Sequence, residues 1–556
     1  MNFGNWSFPG KHRRYPLAIA LGAAGVCLVL GFVCFPFQYF EPDTAAYVFQ
    51  AKLFAQGMFA APAPPDFGFS PSPHINIYDG HWFSKYPFGT SLLLGLATWL
   101  GGPWLLPPLA TGLTLLFFFG FVSELFGRRV AMLALLFAAL SPAVLIIGAT
   151  QLSQSTNRLF IAIFLWTLLK SLREESIARS AAFAAATGLA LGYSFNTRPL
   201  VAVVFASVGA LIVLAGFLVP PRKARAASVA IIALLAFLPM FGLFLAWNAY
   251  FMGDPWKLPY HALQAADRMG FGLRGEGYAP YIKGFRTDFT PTFALMRLWQ
   301  HTIPGVLFNI LGWGRYYSNM FLFDDPSWRF RLFGCVLLVP AVIVLTPLFH
   351  RSRSRADFLC VYIFVATAVS LFFQYSDHST WGSTPLHGSY YNEAILFGLI
   401  PLTARGSLIA FDAAMASRHR WAAPAFWTIV ALLFVNTLYS NLTFARALRK
   451  WDPYYQRLPA LVAQADLHRA VVFVPDSRNA PIGDYPFVPL DRADIVYFRT
   501  GPAPEWGLNT GDWRIAYAKY FVGRSAYIFD GVDLMKLDVP EKSGVTAIEP
   551  KNLLQE

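Results

Sequence analysis

Long apolar runs constrain this chain more than any other feature. Tyr15 to Phe37, Val130 to Ile147, Ala226 to Trp247 and Ala422 to Leu442 are each about long enough to cross a hydrocarbon core of roughly 30 Å. Inside lipid an open segment must satisfy its own backbone amides, and an α-helix does so. The runs therefore predict a polytopic α-helical membrane protein. Composition agrees: of 556 residues, 56% are hydrophobic and 13% charged, with a mean hydropathy of +0.45, whereas a soluble domain carries about 25% charged residues. The first run has no small-residue cleavage pattern before Phe35, Pro36 and Phe37, so it is expected to stay as an anchor.

The placement of charge sets the topology. A net charge of +13 could mean a polyanionic partner, but the basic residues are not gathered on one soluble module, so no nucleic acid is expected. Lys11, Arg13 and Arg14 precede the first run, Arg128 and Arg129 follow a second span expected at Pro108 to Phe126, and Arg222, Lys223 and Arg225 lie between two later ones. Arg351, Arg353 and Arg355, then Arg418 and Arg420, repeat the pattern, which the positive-inside rule assigns to the cytoplasm. With the N-terminus inside, about eleven spans follow. Outer segments then fall at 38–107, 150–156, 196–199, 251–329 and 374–393, and the C-terminus lies outside. Ser91 to Leu100 is too short and too broken by Gly and Pro to span, and Ala294 to Trp313 is amphipathic; both read as interfacial helices. The expected location is a cell inner membrane, with the outer segments periplasmic or extracellular.

After Leu442 charge rises and the apolar runs stop. Strand-like pieces at Ala470–Val474, Asp494–Arg499 and Ser525–Phe529, with a helix at Trp513–Phe521, predict a small α/β module with a partly parallel sheet. The chain thus divides into a transmembrane domain, 1–442, and an extracytoplasmic α/β domain, 443–556. All four cysteines, Cys27, Cys34, Cys335 and Cys360, lie in apolar runs without metal or disulfide spacing, so packing is their expected role. The Asn-Leu-Thr sequon at Asn441 reads as chance, and neither a nucleotide loop nor an internal repeat is present.

The first outer segment opens with YFEPDTAAYVFQAKLFAQGMF, Tyr39 to Phe59, which puts Glu41 and Asp43 at the membrane surface. If Thr44 to Gln56 is helical, Asp43 caps it, and Tyr47 and Gln50 follow on one face. Asp43 reads as a helix cap, a general base, or both. Farther on, HWFSKYPFGTSLLLGL, His81 to Leu96, places Lys85 before an aromatic and proline turn. That lysine either snorkels to lipid phosphates or neutralises the phosphate of a lipid-linked substrate. His387, Tyr390, Tyr391 and Glu393 form a polar approach to a late span, as belt anchors or as a pocket. Arg158, Arg198 and Arg286 are further outer cations. His378 and His387 make only a weak metal pair.

These stretches resemble the GT-C glycosyltransferases, nearest to the branch holding protein O-mannosyltransferases and lipid A aminoarabinose transferases. Asp43 matches the acidic motif of that branch and Lys85 its lysine-proline turn. ATQLSQSTNRLF (149–160), NTRPL (196–200) and HGSYYNEA (387–394) look like its later outer segments. The resemblance implies a GT-C like fold and an inverting hexosyl- or pentosyltransferase that takes its sugar from a polyprenyl-phosphate donor. On that basis Asp43 is the general base with Glu41 beside it, and Lys85, Arg158 and Arg198 bind the donor phosphate. Tyr47, His387, Tyr390, Tyr391 and Glu393 then line the substrate pocket. Thr44, Ala46 and Ser84 depart from the branch, which speaks against a lipid A substrate and a shared metal site. No cofactor is called for, although a divalent metal stays open; membrane lipids are the other partners and a monomer is expected. The alternatives are a transporter or flippase of lipid-linked envelope precursors, a glycan ligase or polymerase, or an envelope scaffold. Spans nearly free of charge favour surface chemistry over passage.

Overall fold

The computed structural model of the chain describes residues 14–35, 42–69, 74–219, 223–262, 269–274, 287–297, 311, 342–373, 393–474, 492–500, 502–503, 508–509 and 512–539. Among them, seven helices are long and apolar enough to cross a membrane: Arg14–Cys34, Pro103–Phe126, Pro199–Phe217, Lys223–Met252, Arg355–Phe372, Leu396–Ala416 and Ala422–Tyr439. The N-terminal part runs α1 (Arg14–Cys34), α2 (Pro42–Ala55), β1 (Ala61–Pro62), β2 (Ile75–Tyr78), β3 (His81–Ser84), α3 (Phe88–Trp99) and α4 (Leu106–Phe126). It continues with α5 (Arg128–Leu140), α6 (Pro142–Ile147), α7 (Ser153–Arg173), α8 (Ile177–Phe195), α9 (Pro199–Phe217) and α10 (Lys223–Met252). Helices α7 and α8 have span length, with 21 and 19 residues, but carry more polar and small side chains and pack inside the bundle.

The run expected as one span from Val130 to Ile147 is two helices. Pro142 disfavours helical backbone at the residue before it, and Ser141 adopts ψ 124°. The carbonyl of Leu140 at the break accepts from Asn441 Nδ2 at 2.9 Å. The asparagine of the sequon therefore holds a helix end. Between the outer segment expected to end at 329 and the basic cluster at Arg351, residues 342–349 are helical, and residues 330–341 lie outside the described residues. The interfacial helix expected at 294–313 is described for Pro291–Arg297, and residues 298–310 also lie outside.

The two ends of the bundle differ in chemistry. At one end Glu124 pairs with Lys170 at 2.9 Å and Arg173 at 2.8 Å, Arg129 with Asp412 at 2.8 Å, and Asp357 with Arg405 at 2.7 Å. These are the loops that the positive-inside rule groups together. At the other end converge α2, the starts of α7 and α9, and the segment after α10. The faces between the ends are apolar and open to lipid, as with Leu234 and Leu235 on α10 and Leu432 on the last span.

The first outer segment folds as a unit. Strands β1, β3 and β2 form a small antiparallel sheet, and β2 and β3 join through Asp79 and Gly80, both with positive φ (47° and 74°). Asp-Gly is the favoured pair for such a two-residue turn. Helix α3 is the short apolar helix expected from the sequence. It packs on α2 so closely that a β-carbon at Gly95 would meet the Ala51 carbonyl at 2.9 Å, while Leu96 and Trp99 stay exposed.

The last span continues without a break as one helix, Ala422–Gln464, through the expected boundary at 442. Beyond it stands a four-stranded sheet. Its strands Ala470–Val474, Ile495–Arg499 and Ser525–Phe529 are mutually parallel, and Leu534–Lys536 is antiparallel at the edge. The helical segment Trp513–Phe521 covers one face, as expected. This module meets the first outer segment directly: Phe69 lies edge-on to Phe498 at 4.9 Å, and Tyr520 donates to Asp66 at 3.4 Å. Residues Cys27, Cys34 and Cys360 are buried and not in disulfides, and Cys335 lies outside the described residues.

Candidate active site

Helix α2 begins at Pro42, one turn position earlier than its cap was expected, because proline suits the first helical position. Asp43 thus sits inside the first turn, where the helix dipole favours a carboxylate. Its side chain is a quarter exposed. Oδ1 meets His74 Nε2 at 3.0 Å and also accepts from the Tyr86 hydroxyl.

The hairpin delivers both partners. Ile75 pairs with Ser84 and Tyr78 with His81, so His74 stands across from Lys85, and the Lys85 amide donates to the His74 carbonyl at 3.0 Å. The hairpin is fastened to α2 by buried Gln50, whose amide donates to the Phe59 carbonyl at 2.7 Å and accepts from the Ser84 amide at 3.0 Å. Gln50 is thus a clamp between the carboxylate helix and the lysine turn.

Lys85 is buried, with its ammonium 5.3 Å from the Tyr86 ring centre and 5.2 Å from that of Tyr260. Aromatic faces attract a cation at this range. Tyr86 in turn stacks on Tyr47 at 4.5 Å and meets Tyr260 edge-on at 5.4 Å. Tyr47 donates to Ser153 Oγ at 3.0 Å, and Arg198 donates to the same oxygen at 3.3 Å. Residues far apart in the chain therefore meet in one pocket: Asp43, Tyr47, His74, Lys85 and Tyr86 from the first outer segment, Ser153 and Arg198 from two helix starts, and Tyr260 from beyond α10.

Electrostatics follow from this packing. Burial alone would raise the Asp43 carboxyl. The charges of His74 and Lys85 and the hydrogen bonds from His74 and Tyr86 outweigh it and hold the carboxyl well below the usual carboxylate range. His74 is lowered by burial and then by Lys85, against the pull of Asp43. Burial, with Asp43 adding to it, pushes the Tyr86 phenol well up, so Tyr86 stays a hydrogen-bond donor. The pocket is an ionised carboxylate beside a lysine ammonium, enclosed by aromatic rings.

Of the residues picked out in the sequence, the structure brings together Asp43, Tyr47, Lys85 and Arg198. Arg158 is fully buried and donates to the carbonyls of Ala143 at 3.2 Å and Val144 at 3.5 Å, at the start of α6. Glu41, Arg286, His378, His387, Tyr390 and Tyr391 lie outside the described residues, and Glu393 opens a single helical turn, its side chain likewise outside. His74, Tyr86, Ser153 and Tyr260 were not picked out. The Asp79-Gly80 pair was the usable signal for His74, because a two-residue turn places 74 opposite 85. Among the described residues no three His, Cys, Asp or Glu side chains gather as a metal site.

No family model matches the chain, and no curated protein matches it. Among solved structures, it is similar to ArnT from Cupriavidus metallidurans in the apo state, with 15% identity and a TM-score of 0.49 over 88% of this chain and 86% of that one. The same protein bound to undecaprenyl phosphate gives 15% and 0.48 over 88% and 87%. The archaeal oligosaccharyltransferase AglB from Archaeoglobus fulgidus, in complex with an inhibitory peptide and a dolichol-phosphate, gives 13% and 0.49 over 88% and 65%.

Proposed function

We propose that this protein is a GT-C type glycosyltransferase that moves a sugar from a polyprenyl-phosphate donor to an acceptor on the outer side of the membrane, with inversion. The observation that carries the reading is that the Asp43 carboxylate and buried Lys85, which acts on it electrostatically, share one pocket at the end of the bundle away from the basic loops. The acceptor's lone pair bonds to the anomeric carbon, and the bond from that carbon to the phosphate oxygen breaks with its electron pair. The acceptor's O–H or N–H proton passes to Asp43. Lys85, with Arg198 nearby, offsets the charge growing on the departing polyprenyl phosphate, and at the edge of the bilayer one or two cations act strongly. Arg158, tied to backbone carbonyls, supports α6 in this reading. The ionisable cluster lies at helix ends and not in mid-span, which supports surface chemistry over the transport alternative.

The test compares wild type with Asp43→Asn in detergent, using a panel of radiolabelled polyprenyl-phosphate sugars and envelope acceptors. Transfer by wild type that the variant loses, with donor binding intact, is the expected result. Absence of both donor binding and turnover with every carrier sugar would sink the reading.

A further inference from the structure

Two donors converge on one oxygen of the candidate base. His74 Nε2 and the Tyr86 hydroxyl both meet Asp43 Oδ1, and among the described residues no hydrogen-bond partner meets Oδ2, although the side chain is a quarter exposed. Both donors flank the same hairpin, His74 just before β2 and Tyr86 just after β3, and the bond from the Lys85 amide to the His74 carbonyl locks those flanks together. Tyr86 is fixed further by its stack on Tyr47 and its edge contact with Tyr260.

We infer that His74 and Tyr86 are positioning residues: they clamp Asp43 Oδ1 so that Oδ2 alone, ionised, is presented to the acceptor's O–H or N–H. This deepens the transferase reading and rests on it. A carboxylate with both oxygens open can turn about its terminal torsion, which is broad. Clamping one oxygen removes that freedom and aims the other. The proton leaving the acceptor then goes to Oδ2 as the new bond to the anomeric carbon forms and polyprenyl phosphate departs with its electron pair. The clamp also keeps the group ionised against burial, since hydrogen bonds to the charged form favour it. The groups facing Asp43 are His74, Lys85, Tyr86 and Tyr47, with Arg198 acting on Tyr47.

The test uses full-length Tyr86→Phe, His74→Ala and His74→Gln in detergent, with two readouts. One is the acidic limb of the transfer rate against pH; the other is the infrared carboxyl band of Asp43, identified by its absence in Asp43→Asn. Tyr86→Phe and His74→Ala are each expected to move band and limb upward by about one to two pH units, the worth of a hydrogen bond to a charged group. His74→Gln, which keeps an N–H donor, recovers part of the shift. A band and limb left at the wild-type position, with rates lowered uniformly over pH, would overturn the clamp while leaving the transferase reading intact. A shifted band in a protein that transfers from no carrier sugar would keep the clamp and end that reading. If His74→Ala fails to fold, Tyr86→Phe carries the same two readouts.

Discussion

The amide of Gly89 donates to the carbonyl of Asn196 at 2.8 Å, across more than one hundred residues of sequence. A β-carbon at 89 would lie 2.5 Å from Thr197 Oγ1 and 2.7 Å from that same carbonyl. The turn carrying Lys85 is therefore pressed against the turn carrying Arg198, and only glycine permits the approach. Gly89→Ala is expected to cost about 1–3 kcal/mol through forced displacement. Transfer should fall by more than the lost stability explains, as checked by thermal unfolding in detergent alongside transfer rates.

Tyr47, Ser153 and Arg198 share one oxygen. Tyr47→Phe and Ser153→Ala should each cost roughly 1 kcal/mol, and the double variant should cost clearly less than the sum. Chemical denaturation of the four proteins measures this coupling, and strict additivity would mean that the contact contributes nothing.

Lys85 is held between two tyrosine rings that suit a compact ammonium. Lys85→Met is expected to weaken donor binding by roughly 10- to 100-fold, the scale of one charged hydrogen bond. Lys85→Arg should not restore it, because the planar guanidinium is a different shape. Titration with a polyprenyl-phosphate sugar decides the point, and full rescue by arginine would count against a fitted lysine site.

His74 has a lowered pKa in the folded protein. The unfolded chain takes up a proton near pH 6.5 that the folded state still refuses, so stability falls as pH drops from about 6.5 toward the folded value, then levels. Asp43 behaves separately: its folded pKa is depressed, so its contribution is present above the unfolded value near 3.9 and is lost only on further acidification. Melting curves between about pH 5 and 8 should show the first loss in wild type and a flatter profile in His74→Gln.

At Gly68 a β-carbon would lie 2.3 Å from Phe498 Cζ. Gly68→Val should pry the first outer segment off the C-terminal module without altering the module's own side chains. Faster proteolysis of the module and weaker transfer are the expected outcomes.

The helices, the grouping of basic loops at one end and the strands of the C-terminal module were legible because each depends on local periodicity or on charge near a span. That Asp43 and Lys85 share a pocket was legible because both lie in one outer segment, with Asp43 near its start. Tyr260 and Ser153 were not, since only the packing of the bundle brings them to Tyr47 and Tyr86. The break at Ser141 was written in its Ser-Pro pair and was masked by uninterrupted hydrophobicity. The boundary at 442 was placed by rising charge, yet charge alone does not end a helix, and this one runs on through Pro453 and Pro459 to Gln464.

The pocket draws on residues from Asp43 to Tyr260, a stretch of roughly two hundred residues. At synthesis rates of about 5–20 residues per second, the ribosome needs on the order of 10–40 s to add the last contributor after the first. During that interval the carboxylate helix has emerged while its wall beyond α10 does not yet exist. In the transferase reading, a nascent chain that has not passed Tyr260 cannot close the pocket around a carrier lipid, and a ligand that needs that wall finds it only on longer chains.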